Sequence, residues 1–166
     1  CGVCDNDPSN DCIEDCFGVY GGSAVEDECG VCGGNGSTCL PPDEFQFNVS
    51  VLQAFYFFTT VTINGDSVDE DDWVGAFNGD ICVGARKWDT SQCNNGVCDV
   101  PVMGDFGDSS TEGYMIFGEI PSFKIYDASE DTYYNAVASD PIDPWDNMVI
   151  HIIDNLQNTT LGCMDI

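Results

Sequence analysis

The stretch WVGAFNGDICVG, residues 73–84, decides the fold. Two short apolar runs, Trp73 to Phe77 and Ile81 to Val83, flank Asn78-Gly79, a pair that tolerates the positive φ of a tight hairpin turn. The stretch therefore predicts two antiparallel β-strands joined by a turn. Moving outward, the same texture recurs in FQFNVSVL, FYFFTTVTI, DICVGARKW, VCDVPVM, YMIFG, FKIYD, TYYNAV and MVIHII. Phe45, Phe47, Val49 and Val51 alternate with polar residues, and Val61 and Ile63 flank Thr62, which is the period of half-buried strands. Asn64-Gly65 and Asn95-Gly96 supply two further turn signals, and no segment of helical length carries a 3.6-residue apolar period. The expectation is an all-β fold, an antiparallel β-sandwich of the immunoglobulin-like or jelly-roll kind, preceded by an irregular disulfide-stapled repeat segment. Its bounds are residues 1–39 for the cysteine-rich acidic repeat, 40–44 for a linker, 45–156 for the sandwich and 157–166 for the start of a further repeat or linker.

The 166 residues carry 3 Lys+Arg against 30 Asp+Glu, a formal charge of −27. Phosphate backbones and anionic membrane surfaces would be repelled, so nucleic acid is not a partner and membrane insertion is not expected. Such charge also opposes compaction unless divalent cations or salt relieve it, which makes calcium the expected cofactor. The 43% hydrophobic content is ample for a core, so the chain is not a disordered acidic tail.

Eleven cysteines are present, and seven of them (Cys1, Cys4, Cys12, Cys16, Cys29, Cys32 and Cys39) precede residue 40, where apolar side chains are too few to build a core. CGVC occurs at Cys1 to Cys4 and again at Cys29 to Cys32, an internal repeat with a period of 28 residues. If the second Cys of each CxxC closes its own loop and the first reaches back, the pairs are Cys4–Cys12, Cys16–Cys29 and Cys32–Cys39, with Cys1 left for an upstream partner. Six cysteines permit other connectivities. Zinc ligation by the two CxxC pairs would leave Cys12 and Cys16 over, and a redox CxxC lacks the nearby cation that lowers a thiol pKa. Farther on, Cys93 and Cys98 bracket a loop tip and are expected to pair locally, leaving Cys82 as a buried thiol, the alternative being that Cys82 takes one of them. This cysteine usage points to an extracellular or cell-surface location.

Asp5, Asp7, Ser9 and Asp11 stand at alternate positions, as oxygens do in the first half of an EF-hand loop, although Asn10 and Cys16 break the full pattern. Asp66, Asp69, Asp71 and their neighbours form a second acidic cluster, and Asp105 and Asp108 a third, each a candidate calcium site. Three N-x-[ST] sequons, at Asn35, Asn48 and Asn158, are candidate glycan acceptors.

DCFGVYGGSAVEDECGVCGGNGSTC, residues 15–39, resembles the acidic cysteine repeats, loosely akin to thrombospondin type 3 repeats, of very large secreted proteins of aquatic microbes. DWVGAFNGDICVGARKWDT, with FKIYDASEDTYYNA downstream, resembles a β-sandwich module attached to such repeats, and LGCMD near the end looks like the opening of another. What the resemblance implies is tandem extracellular modules, with no catalytic residues carried over. Tyr20 departs from it, since related repeats place cysteine or tryptophan there. The chain opens inside a motif, so it is expected to be a section of a longer polypeptide.

An enzyme is not expected: His151 is the only histidine, it lies in the alternating run MVIHII, and no HExxH, P-loop or GxSxG pattern occurs. Trp73, Trp88, Trp145, Tyr133 and Tyr134 make a carbohydrate-binding module the alternative, by stacking on sugars. The preferred expectation is a structural or adhesive module, a repeating unit of a surface stalk or filament, calcium-stabilised and glycosylated. Its partners are neighbouring modules, joined head to tail or by self-association, with MVIHII or FQFNVSVL adding to a neighbour's sheet edge.

Overall fold

A computed structural model describes residues 13–27, 29–36 and 39–159. The chain separates into two compact units, Cys1–Leu40 and Pro41–Ile166.

Among the described residues of the first unit the large apolar side chains Ile13, Phe17, Val19, Tyr20 and Val25 are all exposed. Its order comes from backbone turns. Asp15 N–H donates to Val19 O at 3.0 Å, Gly18 N–H to Asp15 O at 2.8 Å and Gly21 N–H to Ile13 O at 3.0 Å. Twelve positions on, Asp27 N–H donates to Val31 O at 2.9 Å, Gly30 N–H to Asp27 O at 3.0 Å and Gly33 N–H to Val25 O at 2.9 Å. Glu14 bridges Tyr20 as Glu26 bridges Cys32. The structural period is thus 12 residues (Asp15 to Asp27), where the cysteine spacing reads as 28, and Tyr20 stands in the place of Cys32.

The disulfides correct the expected pairing. Cys16 bonds Cys32 and Cys29 bonds Cys39, with Cα–Cα distances of 5.5 Å and 5.3 Å, so neither Cys16–Cys29 nor Cys32–Cys39 forms. The reason lies in the second turn: the Gly36 amide is held on the Asp27 carboxylate at 2.7 Å, and Cys39, whose N–H donates to Cys29 Sγ at 3.1 Å, stands against Cys29 and not against Cys32. Cys4–Cys12 lies outside the described residues.

The second unit is all-β. Its strands are β1 (Gln53–Ile63), β2 (Asp66–Ser67), β3 (Trp73–Asn78), β4 (Ile81–Lys87), β5 (Cys98–Met103), β6 (Ser122–Asp127), β7 (Thr132–Ala138) and β8 (Ile150–Asn158). They form one sheet ordered β2-β1-β8-β7-β6-β3-β4, with β5 pairing β1. The sheet is mixed rather than wholly antiparallel, because β1 and β8 run parallel, Phe55 opposite Ile150 through Thr62 opposite Gln157. It curls so that β5 lies against β4, where the absent Cβ of Gly84 leaves room for the Pro101 carbonyl, and Arg86 ties the two strands by donating to Asp99 O. The result is the expected all-β unit, built on a curled mixed sheet.

Local chemistry explains the turns. Asn64 and Gly65 have φ of 53° and 94°, both positive as a type I′ turn requires, and join β1 to β2. β3 and β4 pair out to Asn78 opposite Ile81, leaving Gly79-Asp80 as a two-residue loop. At the tip between β4 and β5, Asn95 and Gly96 also take positive φ, and Cys93 and Cys98 are bonded around it.

FQFNVSVL is not a strand, despite its alternation. Phe45 ends a short 3-10 turn (Asp43–Phe45) and is wholly buried against Phe77, Tyr126 and Tyr133, whereas Val49 and Val51 face solvent. The backbone there is spent on side chains: Asn48 N–H donates to the Tyr114 hydroxyl at 2.7 Å. YMIFG contributes only an isolated bridge, Gly104 to Met115. The main core gathers Tyr56, Phe58, Val74, Val83, Val100, Val102, Met115, Ile125, Trp145 and Leu156 inside the curl, and Phe45, Trp73, Phe77, Cys82 and Ala85 form a smaller cluster. No helix among the described residues is long and apolar enough to cross a membrane.

Candidate functional site

Three candidate surfaces of the second unit can be compared. The first is an apolar outer face. β8 puts His151 and Ile153 inward, so Ile150 and Ile152 project outward at 61% and 78% exposure. Their register partners on β1 are Phe55 and Phe57, both half-buried, and beyond these on β5 stand Pro101 and Asp99. Pro101, Phe55 and Ile150 thus form one row across the sheet and Asp99, Phe57 and Ile152 the next. Asp99 is neutralised there by Arg86 at 3.0 Å.

The second is an acidic hollow of about 230 Å³, walled by the β1–β2 turn, the loop before β3 and the β6–β7 loop. Asp66, Asp69, Asp72, Asp127 and Glu130 line it with Asn64, Ser67 and Ser129. Asp72 is its buried member, 5% exposed, and its carboxylate accepts the Asp69 N–H at 2.8 Å and the Ala128 N–H at 2.9 Å. Burial raises the Asp72 pKa above the usual carboxylate value, the two amides oppose that shift, and the charges of Asp127 and Asp69 add to it. Asp127, at the end of β6, and Glu130, in the loop after it, are distant in sequence, and the expected cluster did not contain them.

Of the other candidate ligands, Asp71 pairs with Lys87 at 2.7 Å. Asp105 accepts the Gly107 N–H at 2.7 Å, and Asp108 accepts the Ser110 N–H at 2.9 Å and its hydroxyl at 2.6 Å. These bonds from Ser110, with a further one from Thr111, hold the Asp108 pKa below its ordinary value. Asp5, Asp7 and Asp11 lie outside the described residues. Among the described residues, no three His, Cys, Asp or Glu side chains meet at one point.

The third surface would be a sugar platform, and the tryptophans do not supply one. Trp73, Trp88 and Trp145 are 8%, 3% and 4% exposed, and the Trp145 indole N–H is spent on Val102 O at 2.9 Å. All three belong to the core, Trp73 on β3 in the smaller cluster and Trp88 and Trp145, from the segments after β4 and before β8, in the main one. Tyr133 and Tyr134 are half-buried, Tyr133 against Phe45 and Tyr126, and Tyr134 donating to Glu130 at 2.9 Å.

The remaining chemical groups are packed away. His151 stacks on Tyr56 with ring centroids 4.3 Å apart, its Nδ1 lies 3.7 Å from Asp143, and its buried Nε2 has no hydrogen-bond partner. Cys82 is a buried free thiol, pushed up to about 11 chiefly by burial, so it has little thiolate character. Of the sequons, Asn35 and Asn48 are exposed. Asn158 is 8% exposed, its Nδ2 donates to Asn64 Oδ1 and its Oδ1 accepts the Asn64 N–H, so the folded unit has no room for a glycan there, contrary to expectation.

All three basic side chains of the chain are paired within it: Arg86 with Asp99, Lys87 with Asp71 and Lys124 with Glu44 at 2.9 Å. No protein-family model matches the chain, and comparison with curated proteins and with solved structures finds no match.

Proposed function

We propose that this chain is an extracellular structural or adhesive module, a repeating unit of a surface stalk or filament that associates with neighbouring modules of its own kind. The observation that carries the reading is the apolar outer face of β1 and β8, where Ile150 and Ile152 are left in water on a protein of −27 formal charge. A monomer gains nothing from two exposed isoleucines beside Phe55 and Phe57, whereas burying them against a second module removes apolar area from water. Four further features support it: the duplicated 12-residue turns, the three disulfides among the described residues, a histidine sealed in the core, and the absence of an unpaired cation among the Lys and Arg side chains. The buried tryptophans take away the strongest support for a carbohydrate-binding module.

Calcium enters this reading as the counter-ion that lets such anionic modules approach one another, with the hollow of Asp66, Asp69, Asp72, Asp127 and Glu130 as the place where it collects. Glycans, where present, belong on Asn35 or Asn48. Sedimentation velocity in millimolar calcium and in EDTA tests the proposal. Calcium-dependent assembly that Ile152→Asp abolishes is the expected result, and a monomer in both conditions would overturn it.

A further inference from the structure

The two 12-residue copies of the first unit share more than turns. Asp15 Oδ1 accepts the N–H groups of Phe17 at 3.0 Å and Val19 at 2.9 Å, and its Oδ2 accepts that of Ala24 at 3.3 Å. Asp27 repeats this at the same offsets: Oδ1 accepts Cys29 and Val31, each at 2.9 Å, and Oδ2 accepts Gly36 at 2.7 Å. Six amides are satisfied by two carboxylates, although the side chains between them differ, Phe17 against Cys29 and Tyr20 against Cys32. The glycine pairs follow from this arrangement. A Cβ on Gly22 would collide with Asp15 Oδ2, and one on Gly34 with Asp27 Oδ2, so the second glycine of each GG is fixed by the carboxylate.

No Lys, Arg or His occurs in residues 1–40, so no side-chain cation compensates these charges. Backbone N–H groups do so instead, through charge-assisted bonds that are shorter and stronger than neutral ones. They hold both carboxyls below the ordinary Asp value of 3.8, Val19 being the largest influence on Asp15 and Gly36 on Asp27. The other titratable groups among the described residues of this unit are Glu14, Glu26 and Tyr20, the last paired with Glu14.

We infer that the two turns between Asp15 and Gly36 close without metal, each 12-residue copy on one ionised aspartate, and that calcium has no seat on Asp15 or Asp27. The amide hydrogens point at the oxygens a cation would ligate, so binding one would open the turn. Acid has that effect: a protonated carboxyl accepts the three amides poorly, and the copy is released. The rule for a copy is Asp, then Gly-Val three residues on, then Gly-Gly two residues after that, with the cysteines variable. Nothing in this inference depends on whether the second unit self-associates.

Hydrogen exchange of the complete isotope-labelled chain, followed by NMR at neutral pH in EDTA and then in millimolar calcium, tests it. The amides of Phe17, Val19, Ala24, Cys29, Val31 and Gly36 are expected to stay protected in EDTA, with shifts that calcium leaves unchanged. On acidification below the free Asp value of 3.8, all six are expected to move together. Asp27→Asn puts an amide nitrogen or a neutral oxygen where Gly36 needs an anion, so protection is lost at Cys29, Val31 and Gly36 while Phe17 and Val19 keep theirs. Loss of protection in EDTA, or calcium-induced shifts at these six amides in the unmodified chain, would overturn the inference without recourse to any variant.

Discussion

Replacing His151 with Phe is expected to stabilise the β unit, against the usual direction of core substitutions. The imidazole is 9% exposed and lies nearly parallel to Tyr56, at 4.3 Å between centroids and 19° between planes, a geometry that a phenyl ring can keep. Its Nε2 is buried with no partner, and an unsatisfied buried polar atom costs about 1–3 kcal/mol. What the change gives up is the 3.7 Å contact of Nδ1 with Asp143, a carboxylate 79% exposed, and exposed pairs of this kind contribute about 0–1 kcal/mol. The difference is a net gain of about 1–2 kcal/mol, or roughly 3–8 °C in Tm for a unit of this size. Urea unfolding at neutral pH reads it directly, because Trp73, Trp88 and Trp145 are all buried and report the transition by fluorescence. Asp143→Asn serves as the control for the ion-pair share and should change stability by less than about 1 kcal/mol. A His151→Phe variant less stable than the parent by about 1 kcal/mol or more would refute the reasoning, since it would mean that Nε2 is satisfied or that the stack is specific to imidazole.

Gly104→Ala should lower the urea midpoint sharply, because the new Cβ would come within 2.5 Å of the buried Trp145 ring, an overpacking worth about 1–3 kcal/mol. Removing the Cys93–Cys98 bridge with a double Ser variant should cost about 2 kcal/mol by the loop-entropy estimate for so short a loop, measured by the same unfolding curves with the strand signals retained in circular dichroism. Mild acid should stabilise the β unit: Asp72 has its folded pKa raised, so the folded state binds that proton more tightly than the unfolded state and stability rises as pH falls from 7 towards the folded value. Calorimetry between neutral and mildly acidic pH reads this, and Asp72→Asn should flatten the dependence. The first unit should respond oppositely and later, since the lowered Asp15 and Asp27 values make its contribution complete above 3.8 and lost as pH falls through the folded values.

The all-β character was plain in the sequence because seven of the nine apolar runs form strands, and turn residues sit between them, as Asn64-Gly65 does after β1 and Gly79 does between β3 and β4. Alternation misled at Phe45 to Val51, where period two was matched by a segment whose amides bond to side chains instead of to a strand. The parallel pairing of β1 with β8 had no local signal, since it joins the two ends of the unit and is set by closure of the sheet. The outer apolar face was hidden for a related reason. MVIHII shows apolar residues on both sides of the strand, and only the burial of His151 reveals that Ile150 and Ile152 are the outward pair.

In the first unit, cysteines drew attention to a 28-residue spacing, while the repeat that organises the backbone is marked by Asp, Gly and Val at an interval of 12. Tyr20 obscured it by occupying a cysteine position. The acidic hollow was half legible: Asp66 and Asp69 are neighbours in sequence, but Asp127 and Glu130 reach it only through the pairing of β6 with β3, Trp73 opposite Tyr126.

The central claim, a module that assembles through its β1–β8 face, meets its most direct test in electron microscopy of the complete chain beside its Ile152→Asp variant in millimolar calcium. Ile152 is 78% exposed, so the substitution leaves the fold intact and alters only the surface. Extended assemblies of the parent and dispersed particles of the variant are the predicted result. Dispersed single particles of both, or assemblies of both, would contradict it.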